Sequence, residues 1–163
     1  MKVLLISVAG CPRTPSDFIP DNGLALLAAL LISKGHQVKV IDYNTTETLK
    51  RFFPEHIHIR LEKIARSVFQ GRTPGLFTLL NLSFLEKRLI AYQRKIFFEI
   101  GSDIADLTER EKIDYVGLKL WNGDWFTASL IVAGVLKKRN PTMPVFGGGS
   151  HVDIFRENIY QAT

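Results

Sequence analysis

The chain holds a single cysteine among 163 residues, which excludes an internal disulfide framework and suits a reducing compartment such as the cytoplasm. It has no long hydrophobic run. The longest, residues 24–32, falls far short of the roughly 20 residues that span a bilayer, so no membrane is expected among its partners. After the first apolar segment the only glycine is Gly10, close before Pro12, so the Gly-x-Gly-x-x-Gly of a dinucleotide site is missing there. A phosphate-binding P-loop is missing too, and Ser7-Val8-Ala9 offers none of the carboxylates of a phospho-receiver domain. The net charge is +5, but the basic residues are scattered and mostly neighbour acids, as in Glu62-Lys63 and Glu109-Arg110-Glu111-Lys112. That pattern reads as a solvated surface, and no nucleic acid is expected as a partner.

What is present is a strand-and-helix alternation of a length that suits one domain, residues 1–163. Val3-Leu4-Leu5-Ile6-Ser7-Val8 is a near-continuous apolar run, the pattern of a strand buried on both faces. Val8-Ala9-Gly10-Cys11 has the outline of a lipoprotein cleavage box, but the short apolar stretch before it is better used as that strand. Leu24, Leu27, Ala28 and Leu31 recur with helical spacing, with Asp21 or Asn22 as cap and Gly35 as the stop. Residues 37–42 form a second strand, which predicts a right-handed strand-helix-strand unit. Residues 115–120 give a third strand, 125–138 a helix capped by Asp124, and Val145-Phe146 a fourth strand.

Between strands two and three lies an insertion, residues 44–113, far longer than an ordinary crossover. Ile57, Leu61, Ile64, Ala65 and Val68 mark one helix, residues 71–75 break the chain, 76–90 are strongly apolar, and Phe97, Phe98, Ile100, Ile104 and Leu107 continue helically toward Glu111. A last helix starts near Asp153 where a parallel sheet would go on to another strand, so the chain is expected to be the N-terminal fragment of a longer protein.

The expected architecture is a flavodoxin-like or Rossmann-like α/β domain, strand order 2-1-3-4, with the fifth strand missing and a helical insertion between strands 2 and 3. Such sheets bind ligands beyond the C-terminal ends of their strands. Ala9, Gly10 and Cys11, the segment Lys119-Leu120-Trp121-Asn122, and Gly147-Gly148-Gly149-Ser150-His151 all fall there. Three consecutive glycines allow positive φ and close approach of a bulky group. Trp121 and Trp125 offer a wall for a flat ring or, equally, cover under the inserted helices. Cys11 and His151 share the same sheet edge, but no third residue orients them as a catalytic pair.

The order of these segments resembles a known family. Pro20-Asp21-Asn22-Gly23-Leu24-Ala25-Leu26-Leu27-Ala28, then Gly35-His36-Gln37-Val38, then Asp114-Tyr115-Val116-Gly117-Leu118, then Gly147-Gly148-Gly149, is similar to the N-terminal cobalamin-binding domain of B12-dependent radical S-adenosylmethionine (SAM) enzymes. The resemblance covers roughly residues 1–43 and 113–160. It implies a corrin ring over the C-terminal sheet edge, with the nucleotide tail of cobalamin beside the glycine turn. Lys119 stands where the family has a serine, a departure that removes the serine's hydrogen bond to the tail and offers approach to the tail's phosphate in its place. The cobalt-ligating Asp-x-His-x-x-Gly of other cobalamin domains is absent from Ala9-Gly10-Cys11-Pro12-Arg13-Thr14, so the implied form is base-off with no histidine ligand and no protein metal ligand. A downstream radical SAM domain, carrying SAM and a [4Fe-4S] cluster, is the implied partner, since no Cys-x-x-x-Cys-x-x-Cys occurs here. The parent is then expected to be a methyltransferase and this fragment alone not catalytic. Two other readings stay open: a degenerate, non-binding docking domain, or a nucleotide or nucleotide-sugar binding α/β domain.

Overall fold

The computed structural model describes residues 1–8, 22–121 and 123–156, without the side chains of Asp124 and His151. In chain order the elements are β1 (Lys2–Ser7), α1 (Asn22–Ser33), β2 (Gln37–Asp42), α2 (Thr46–Phe52) and α3 (Glu55–Phe69). There follow α4 (Leu76–Glu111), β3 (Tyr115–Lys119), α5 (Asp124–Arg139), β4 (Val145–Gly148) and α6 (Ser150–Phe155). The four strands form one parallel sheet in the order β2-β1-β3-β4. This is the α/β class and strand order expected from the sequence.

β1 lies between β2 and β3, and its alternating side chains serve two cores. Val3 and Leu5 meet Leu24 and Ala28 of α1 on one face. Leu4, Ile6 and Val8 join the larger core on the other, with Val116 and Leu118 of β3, Ile100 and Ile104 of α4, and Val132 and Leu136 of α5. α1 ends as its sequence predicts: Gly35 takes φ 82°, and its N–H and that of His36 bond the carbonyls of Ile32 and Leu31. α5 begins differently from the expectation. Gly123, at φ 63°, is its cap residue, and Asp124 is already inside the first turn.

The inserted region is helical, as expected. The apolar stretch 76–90 and the helical spacing from Phe97 onward belong to one 36-residue helix, α4. No glycine or proline interrupts residues 76–100, and Tyr92-Gln93-Arg94-Lys95 carries the helix across its polar middle. At 1.5 Å per residue it is about 54 Å long, more than the sheet can cover. Its second half, from Ile96 to Thr108, is the buried crossover helix; in the first half only Leu85 is buried. α2, unforeseen in the sequence, is capped by the Thr45 side chain, which accepts a bond from the Thr48 N–H. It sets Phe52 against Phe97 with ring centroids 4.9 Å apart.

Arg139 at the end of α5 pairs with Asp106 and Glu109 of α4, a surface link that adds little beside the core. Ile104 is fully buried at the centre of that core. Ile104→Ala is expected to lower unfolding free energy by about 2–5 kcal/mol with a cooperative transition retained, read by urea denaturation.

Candidate functional site

Parallel pairing brings the C-terminal ends of all four strands to one edge. Ser7 is level with Asp42 on one side and Lys119 on the other, and Lys119 is level with Gly148. The segments Lys119-Leu120-Trp121 and Gly147-Gly148-Gly149-Ser150 therefore meet there. Ala9, Gly10, Cys11 and Asn122 lie outside the described residues, and of His151 only its backbone place in α6 is described. The Cys11–His151 pairing falls outside them for the same reason.

A cleft of about 400 Å³ opens beside this edge, on the α1 face of the sheet. It is lined by Leu5 of β1, Gly23, Leu24 and Leu27 of α1, Gly117 and Lys119 of β3, and Phe146 to Gly149 of β4 and its turn. Its origin is topological. Among the described residues the buried cluster on this face draws on β1, β2, β3 and α1, and Phe146 of β4 is exposed there. The lining is mostly aliphatic and aromatic, with the Lys119 ammonium as a charged group. That suits a flat apolar ligand carrying an anionic group.

The three glycines have separate reasons to be glycine. A Cβ on Gly147 would come within 2.5 Å of Leu120 Cδ1, so this glycine admits the buried Leu120 side chain beneath the strand. Gly149 adopts φ 112° and ψ 179°, a region almost closed to other residues, and caps α6. Neither requires a ligand. Gly148 is different: a Cβ there would meet nothing within 4 Å and the residue lines the cleft. Strand alternation puts it on the face of Phe146. The absence of a side chain at 148 keeps the cleft open without serving the packing.

The other expected residues have distinct places. Leu120 is buried in the main core, and its N–H bonds the Gly148 carbonyl at 2.7 Å, so it ties the two strand ends together. The Lys119 ammonium lies 5.2 Å from the centroid of the Trp121 ring, while its carbonyl accepts a 3.2 Å bond from buried Ser129 of α5. Trp121 is partly exposed at the strand end, not packed beneath the inserted helices, and Trp125 is half-buried in α5. Ser150 opens α6. Sequence reasoning missed Phe146 and the α1 residues Leu24 and Leu27 as cleft walls; their apolar character signalled core alone. At the β2 end, burial raises the Tyr43 phenol, the Asp103 carboxylate adds to the shift and Arg51 opposes it, so Tyr43 remains neutral near pH 7.

Among the described residues no cluster of three or more His, Cys, Asp or Glu side chains is placed to hold a metal ion. No protein-family model, curated protein or solved structure matches this chain.

The glycine assignments are separable by stability. Gly148→Ala is expected to change unfolding free energy by no more than about 0.5 kcal/mol. Gly149→Ala should cost about 1–3 kcal/mol because its backbone region is strained for any side chain. Paired urea melts of the two variants check this; equal losses would contradict it.

Proposed function

We propose that this domain binds cobalamin in the base-off form, with the nucleotide tail in the cleft and the corrin over the C-terminal sheet edge. The observation that carries the reading is Gly148, a strand residue whose missing side chain widens an apolar cleft and answers no packing need. The cleft fits the tail in kind: Leu24, Leu27 and Phe146 suit the benzimidazole, and Lys119 suits its phosphate. These residues would hold the tail, and the Trp121 ring and the Ser129–Lys119 bond would position Lys119. In this reading cobalamin would supply methyl-transfer chemistry, and the present residues bind and orient it. A radical SAM domain of the parent protein, with SAM and a [4Fe-4S] cluster, would be the partner, and a methyltransferase the parent's class.

The test is anaerobic addition of hydroxocobalamin, desalting, and a visible spectrum, alongside cobinamide, which lacks the nucleotide tail. The expected result is retained corrin with a base-off spectrum for cobalamin and no retention of cobinamide. Gly148→Leu should fill the cleft and abolish retention while leaving the melt unchanged. Retention of neither corrin would favour the non-binding docking domain or the nucleotide reading. Equal retention of both would remove the tail from the cleft.

A further inference from the structure

We infer that the α3–α4 hairpin docks on an anionic membrane surface through its tip. Two independent features coincide in it. The first is an exposed apolar end: Phe69 closes α3 and is 91% exposed, and Phe77 in the first turn of α4 is 84% exposed. Leu76, Leu80 and Phe84 continue that exposed surface down α4. Solvent-facing aromatic and aliphatic side chains gathered at one end of a helical pair are costly in water and gain by burial.

The second feature is charge. Residues 55–95 carry eight lysines and arginines against three glutamates, whereas the rest of the chain carries thirteen of each sign. The whole net charge of +5 therefore belongs to α3, the turn and the first half of α4, while residues 96–111 of α4 are acidic. Arg72 lies in the turn between the two helices, and Lys63, Lys87 and Arg88 sit farther back along them. The Arg88 guanidinium lies 5.7 Å from the Phe84 ring centroid. Arg66 pairs with Glu62 and Lys95 with Glu99, and both pairs lie away from the turn that holds Arg72.

An apolar tip backed by cations matches an interface with apolar residues below the headgroups and lysine or arginine beside anionic lipid. The same charge argues against a second copy of this chain as the occupant, since two hairpins would bring like charges together. Among the described residues no helix is long and apolar enough to cross a membrane, so the contact proposed is made by the tip and does not span the bilayer. The inference replaces the expectation of no membrane partner. It is independent of cobalamin binding, because the hairpin and the cleft share no residue.

Sedimentation of the chain with phosphatidylcholine vesicles, with and without one quarter phosphatidylglycerol, tests it. Binding is expected only to the anionic vesicles and should weaken as salt is raised. Phe69→Ser with Phe77→Ser should reduce it at least about tenfold. Arg72→Gln and Lys87→Gln should each reduce it about fivefold. All four positions are exposed, and unchanged circular dichroism and melting would show that the fold is retained. Absence of binding, equal binding to neutral vesicles, or a tip-dependent dimer in sedimentation velocity without vesicle binding would overturn the inference.

Discussion

The burial of β1 on both faces is the constraint on which the rest of the structure depends. Val3, Leu4, Leu5, Ile6 and Val8 are almost wholly removed from water, which requires a paired strand on each side and helices above and below. β2 and β3 supply the strands. α1 covers Val3 and Leu5, and α4 with α5 covers Leu4 and Ile6. The two sides are unequally covered. Among the described residues, helices α2, α4 and α5 make a continuous core on one, and α1 is the helix of the other. The cleft is the consequence of that inequality: it lies where the sheet extends to β4 and α1 does not follow.

The same parallel register that buries β1 sets the chemistry available at the site. It aligns Lys119 with Gly148, so a cationic strand end and a side-chain-free strand end border one apolar space. The bond from the Leu120 N–H to the Gly148 carbonyl and the insertion of Leu120 against Gly147 hold this edge from the core side. The cleft side is left free of those duties. In the proposed reading such a site would bind by shape and one charge, with the reactive group brought by the ligand.

The strands and α1 were legible because their signals are local: a continuous apolar run for β1, helical spacing with a glycine stop for α1, and short segments rich in valine, isoleucine and leucine for β2 and β3. β4 was read too short. Gly147 and Gly148 look like turn residues, yet both pair with β3, since a ladder bonds through the backbone and needs no side chain. α2 escaped notice because seven residues carry too little periodicity to register. The full length of α4 is less evident, because its two halves differ in burial and so show different patterns. The sheet edge itself was legible from topology. The cleft walls were not: Leu24, Leu27 and Phe146 are apolar residues of ordinary strand and helix patterns, and Leu24 serves the α1 core as well as the cleft.

The central claim is that the cleft beside Gly148 receives the cobalamin tail. Hydrogen–deuterium exchange with and without hydroxocobalamin, under anaerobic conditions, addresses it most directly. The account predicts added protection at residues 117–120 and 146–150 and at the start of α1, with little change in α2 and α3. Protection confined to other segments, or none at saturating cofactor, would contradict it.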